Sequence, residues 1–155
     1  MTAEAFAPFG VLIEPIEDGA AFGERDARLE LQRGKPRFYV MRLHARPLGF
    51  RTITRHMQVT QCLASVGGAS WMIAVAPPHL PDDASAKPDP EAIRVFAVPG
   101  DVAIQLHRST WHAGPFFHGE FASFFNLEMS DTNEVDHHRC DLQEVFGIVF
   151  SIRAD

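Results

Sequence analysis

One short stretch, His107-Arg108-Ser109-Thr110-Trp111-His112, holds two imidazoles, a guanidinium and an indole. It follows a Pro99-Gly100-Asp101 turn and the apolar run Val102–Leu106, so a strand delivers the histidines to its far end. Imidazole titrates near neutral pH and also binds transition metals, which makes the stretch a candidate for proton transfer or metal ligation. A second cluster, Arg55-His56 with Thr60-Gln61, adds another imidazole, a guanidinium and an amide. His56, His107, His112 and Arg55 are the catalytic candidates, and Gln61, Arg108 and Trp111 the candidates for holding substrate.

Each of these residues has a plainer reading. Lone strand histidines are mostly hydrogen-bonded structural residues, and Arg55 and Arg108 fit strand-edge salt bridges. Trp71 and Trp111 fit packing, and Gln61 fits a partner for a buried backbone group. Residues 107 and 112 would face opposite sides of an unbroken strand, so the reading requires a bend through Arg108–Thr110. The run Asp136-His137-His138-Arg139-Cys140-Asp141 ranks as a weaker second site on a solvated stretch.

Short apolar runs must position these groups: Val11–Ile16, Phe38–Leu43, Val59–Ser65, Ser70–Ala76, Ile93–Val98, Val102–Leu106, Phe121–Leu127 and Val145–Ile152. They are rich in Val, Ile and Phe, too short for ordinary helices, and separated by Gly and Pro turns, Gly67-Gly68 reading as a hairpin. That pattern predicts an all-β barrel, with one short helix starting at Thr2. Phe116, Phe117, Phe121, Phe124 and Phe125 read as barrel filling, part of them as a subunit interface. The proline-rich segment from Pro77 to Pro90 reads as a surface loop, with a lid as the alternative.

At 155 residues and 46% hydrophobic content the chain suits one domain with a substantial core. A net charge of -6 opposes binding to a phosphate backbone. No run is long enough to span a membrane and no leader pattern opens the chain, so a cytoplasmic protein is expected, with Cys62 and Cys140 as free thiols.

The two clusters resemble degraded forms of the two cupin motifs, with Thr54 in place of the first histidine, Gln61 in place of the acid, and His56 and His112 retained, a resemblance that makes His56, Gln61 and His112 the candidate metal ligands. The chain resembles the ureidoglycolate lyase family more closely. It does so in Phe6-Ala7-Pro8-Phe9-Gly10-Val11-Leu12-Ile13-Glu14, in Arg55-His56 with Thr60-Gln61, in Val75-Ala76-Pro77, and in His107-Arg108 with Trp111-His112. The resemblance implies a cupin-like double-stranded β-helix barrel, a homodimer, a small carboxylate substrate, and a divalent metal, nickel in some members. It also implies lyase cleavage of ureidoglycolate to glyoxylate and urea in allantoin breakdown. Met57, Ala113 and Met129 depart from the family pattern, Met129 standing where an arginine is usual. Two other readings remain: a metal-dependent cupin dioxygenase or isomerase, and a non-catalytic cupin that binds small acids.

Overall fold

The computed structural model describes residues 1–153. A short helix, α1 (Ala3–Phe6), opens the chain, and the Thr2 hydroxyl caps it by accepting from the Ala5 amide at 3.2 Å. The strands that follow are β1 (Gly10–Ile13), β2 (Pro36–His44), β3 (Gly49–Phe50), β4 (Thr52–Arg55), β5 (Gln61–Ser65) and β6 (Trp71–Ala76). After them come β7 (Arg94–Val98), β8 (Ala103–Leu106), β9 (Trp111–Phe116) and β10 (Phe121–Met129). Helix α2 (Thr132–Val135), strand β11 (His138–Asp141), helix α3 (Leu142–Phe146) and strand β12 (Phe150–Ser151) complete the described chain.

All pairings are antiparallel and build two five-stranded sheets, ordered β1-β8-β5-β10-β2 and β11-β4-β9-β6-β7, with a small β12-β3 pair beside them. The predicted all-β barrel with its N-terminal helix is therefore the observed class. Phe6, Leu63, Trp71, Ile73, Ile104 and Phe124 fill one end of the space between the sheets. The outer face of the second sheet is covered as well, by a cluster that includes Ile53, Ala74, Trp111, Leu142 and Ile152. Strand β6 is thus buried on both faces, which is why it reads as a continuous apolar run rather than an alternation.

Three expectations are corrected. Gly67-Gly68 is not a hairpin, because β5 and β6 belong to different sheets and the turn carries the chain across. The Pro99-Gly100-Asp101 turn packs against it so closely that a Cβ at Gly100 would collide with the Gly68 carbonyl. The run Val145–Ile152 is not one strand. The Asp141 carboxylate caps α3 by accepting from the Gln143 and Glu144 amides, and Gly147 at φ 71° ends the helix. Among the phenylalanines, Phe116, Phe117 and Phe124 are core, whereas Phe121 and Phe125 are exposed.

The proline-rich loop is a strapped surface loop. Its carbonyls at His79, Leu80 and Asp83 accept from the Arg55 guanidinium, and the Pro81 carbonyl accepts from the Ser109 hydroxyl at 2.6 Å. None of its residues borders the large cavity described next.

Candidate active site

Register builds the site. Across the second sheet, Arg139 of β11 pairs with Thr54 of β4, and Thr54 pairs with His112 of β9, so their side chains share one face. Across the first sheet, Tyr39 of β2 pairs with Asn126 of β10, which pairs with Leu63 of β5. These two rows form opposite walls of a cavity of about 460 Å³, within the range of small-molecule sites. His56, just past the end of β4, and Gln61, at the start of β5, close its inner end. Beside β9 the register with β6 shifts between Met72 and Ala74, and Gly114 takes a φ of 125°. Such bulges bend a strand and re-aim its neighbours.

The rings of His56 and His112 lie 5.1 Å apart, and His137 stands 5.8 Å from His56 on the other side. His56 Nδ1 lies 2.7 Å from the Asp136 carbonyl, and His112 Nδ1 lies 3.2 Å from the Thr110 carbonyl. Carbonyl oxygens only accept, so each Nδ1 carries the proton and each Nε2 keeps its lone pair. Burial, then the neighbouring His56, push the His112 pKa down to about 3. Burial also lowers that of His137, with His56 contributing next. His112 is therefore uncharged near neutral pH, not the ordinary imidazole that the sequence reading implied.

That shift has a consequence for stability. Unfolded His112 takes up a proton near its ordinary value of 6.5, while the folded ring resists until about pH 3. Between those values the unfolded chain binds more protons, so stability falls as pH drops. Going from pH 6.5 to pH 4 should cost the protein about 2 kcal/mol more than it costs a His112→Gln variant, allowing for partial solvent screening. Urea denaturation at the two pH values measures this, and identical losses would rule it out.

Of the other predicted residues, Gln61 borders the cavity, while Arg55, Arg108, Trp111 and His107 do not. Neighbours along a strand face opposite ways, so one member each of Arg55/His56 and Trp111/His112 must turn outward. Arg55 and Trp111 do, and the guanidinium lies over the indole at 4.7 Å in the outer packing layer. Arg108 donates to the Met57 carbonyl at 2.8 Å and pairs with Glu30 and Asp82 at 3.3 and 3.1 Å. The expected bend at Arg108–Thr110 exists, with Ser109 at φ 64°, but it sends His107 Nε2 to the Ala7 carbonyl at 3.2 Å. His107 touches only a narrow void behind His56 and His112.

Several cavity groups escaped the sequence reading as site residues: Tyr39, Asn126 and Glu128 on the first sheet, and Arg46, Arg51 and Arg139 near the opening. Asn126 and Glu128 had a legible signal, since they are polar residues two apart on an otherwise apolar strand. His137, from the run ranked as a weak second site, belongs to this same cavity. Met129 borders a different, small pocket and packs near Gly34. Met129 itself contributes nothing to the cavity lining.

The donor set suits a loosely held divalent ion. The Nε2 atoms of His56 and His112 are free, and Gln61 Oε1 is buried without a partner. Among the described residues, however, no three His, Cys, Asp or Glu side chains group to hold a metal. Imidazoles and an amide without an anionic ligand attract a cation weakly.

Fold and site together define an antiparallel β-barrel that opens on a polar, small-molecule cavity with paired imidazoles. The ureidoglycolate lyase family model matches residues 1–148. A ureidoglycolate lyase of Azotobacter vinelandii is 32% identical over 124 residues, covering 72% of this chain and 71% of that one. One of Pseudomonas savastanoi pv. phaseolicola is 32% identical over 126 residues, covering 72% and 69%. An Escherichia coli ureidoglycolate lyase is 27% identical over 99 residues, covering 64% of this chain and 58% of its own length. Among solved structures, RmlC from Streptococcus suis superposes loosely, with a TM-score of 0.40 at 9% identity, over 62% of this chain and 44% of that one. The chain belongs to the ureidoglycolate lyase family.

Proposed function

We propose that this protein cleaves ureidoglycolate into glyoxylate and urea. The observation that carries the reading is the His56–His112 pair, two rings with free Nε2 atoms 5.1 Å apart at the inner end of a polar cavity. Ureidoglycolate carries a hydroxyl, a carboxylate and a ureido nitrogen on one carbon. The hydroxyl proton leaves, its electron pair forms the C=O bond of glyoxylate, and the C–N bond breaks. The released nitrogen takes up a proton and becomes urea, so the reaction consumes no water and no redox equivalent.

His112, uncharged at neutral pH, has the lone pair needed to take the hydroxyl proton. Its imidazolium is a strong acid in these surroundings and passes the proton on to the departing nitrogen, His56 holding the geometry from the other side. The bound carboxylate opposes the desolvation of His112 and raises its proton affinity when substrate is present. Arg46, Arg51 and Arg139 offer guanidinium forks for that carboxylate. Among the described residues Arg51 pairs with Asp141 and Arg139 donates to the Thr52 hydroxyl, whereas Arg46 has no side-chain partner, which leaves it the freest of the three. Were a divalent ion such as nickel held by His56, His112 and Gln61 instead, it would occupy those Nε2 lone pairs and supply Lewis-acid polarisation of the hydroxyl in place of proton abstraction by the ring.

The initial rate of glyoxylate formation from ureidoglycolate tests the activity. A rate well above the spontaneous decay of the substrate supports it, and a rate equal to that decay rejects it.

We also propose a cytoplasmic homodimer. The free thiols of Cys62 and Cys140 suit a reducing compartment. No helix among the described residues is long and apolar enough to cross a membrane. Strand β2 is a sheet edge whose outer face exposes Phe38 at 67% and Val40 at 55%, with the Phe38 and Phe125 rings stacked at 5.6 Å. An edge strand with bare aromatic rings is best buried against a second copy. Light scattering should give twice the chain mass for the native protein and a single chain mass for Phe38→Glu. A native monomer would contradict this.

A further inference from the structure

Beyond the imidazole pair, the first-sheet wall carries a closed polar circuit that no step above uses. The Tyr39 hydroxyl donates to Glu128 Oε1 at 3.2 Å, and the Tyr39 oxygen accepts from Asn126 Nδ2 at 3.1 Å. Asn126 Oδ1 therefore faces Gln61 and accepts from its Nε2 at 3.2 Å, and the same Nε2 donates to Glu128 Oε2 at 3.0 Å. Asn133 Nδ2 also reaches Glu128 Oε1, at 3.5 Å. Amide groups are ordinarily free to present either oxygen or nitrogen, and only their partners decide which. Here the decision starts from Glu128, because a carboxylate can only accept. Its acceptance orients the Tyr39 hydroxyl, which orients Asn126, which orients Gln61. Both hydrogens of Gln61 Nε2 are used, and Gln61 Oε1 is left buried without a partner.

What Gln61 and Glu128 themselves have left to offer is therefore acceptor only: Gln61 Oε1 and a lone pair on Glu128 Oε2. A ureido group, –NH–CO–NH2, is donor-rich and meets that demand. A carboxylate would meet two oxygens and be repelled.

We infer that the Glu128–Tyr39–Asn126 circuit is a specificity device that holds Gln61 in its accepting orientation and so selects the ureido end of the substrate. The inference rests on the lyase reading and deepens it: the circuit sets which way the substrate enters, with the carboxylate turned toward Arg46, Arg51 and Arg139. Glu128, only 1% exposed, is the origin of the effect, and Tyr39 and Asn126 relay it.

Two stable ligands separate the two ends of the substrate. N-carbamoylglycine carries both the ureido group and the carboxylate but lacks the reactive hydroxyl, while glycolate lacks the ureido group. In Glu128→Gln the new amide can donate, Gln61 is free to turn, and the wall loses its single sense. Calorimetry on that variant should show N-carbamoylglycine binding weakened about tenfold, with glycolate changed less than twofold. Tyr39→Phe, at a half-buried position, should weaken N-carbamoylglycine about threefold, and it carries the test if Glu128→Gln fails to fold. Equal losses for both ligands, or none in a variant with native melting behaviour, would overturn the inference. Native protein that binds N-carbamoylglycine but does not cleave ureidoglycolate would remove the lyase reading alone. Cleavage by native protein with an indifferent Glu128→Gln would remove the inference alone.

Discussion

His112→Ala is expected to lower kcat on ureidoglycolate by about a thousandfold, in the middle of the range for loss of a positioned proton-transfer group. The ring sits in the β9 row opposite Thr54, its Nδ1–H is held by the Thr110 carbonyl, and its free Nε2 is the lone pair the reaction needs. The bond to the Thr110 carbonyl that it deletes is only partly buried, so the melting temperature should change by only a few degrees. His56→Ala should be comparably inactive but less stable, because the His56–Asp136 bond it deletes is buried. His107→Ala should keep near-native kcat, since that ring is spent on the Ala7 carbonyl outside the cavity. Steady-state kinetics with thermal melts on the three variants checks the pattern. If His107→Ala were the inactive one, the site has been placed on the wrong face of the turn.

The second large effect concerns stability. Arg55 is fully buried, ties three carbonyls of the proline-rich loop to β4, and stacks on Trp111. Arg55→Ala leaves those carbonyls without their donor and opens a void beside an indole, a combination expected to cost about 3–4 kcal/mol. For a domain of this size that lowers the melting temperature by roughly 6–16 °C. Arg55→Lys should recover little, because a single ammonium cannot span carbonyls arranged for a planar fork. The folded fraction of either variant should still turn over substrate, as Arg55 faces away from the cavity. Native stability with lost turnover would instead put the guanidinium in the reaction.

How much of this could be read from the chain alone depended on range. The strands of both sheets and the Thr2 cap are local patterns, and most of them fell where periodicity and turn residues put them. Helix α3 was legible too, since Asp141 and Gly147 are ordinary start and stop signals, but the apolar run Val145–Ile152 outweighed them. His56, Gln61 and His112, singled out because they sit at motif positions, all line the cavity. Arg55 and Trp111 were misplaced although strand alternation already forbids them the same face as His56 and His112. The partners of Glu128 could not be read in this way. Tyr39, Gln61 and Glu128 are brought together by the pairing of β10 with β2 on one side and with β5 on the other, and no local pattern announces that meeting. His137 was discounted for the same reason: only the fold shows that a polar tail segment returns to within 5.8 Å of His56.

The most direct test of the account is to follow every nitrogen and carbon product of ureidoglycolate at once. Lyase chemistry at the His56–His112 pair predicts one urea for each glyoxylate, with no ammonia, at a rate that His112→Ala cuts about a thousandfold. Ammonia in place of urea, or equal rates with and without the protein, would contradict it.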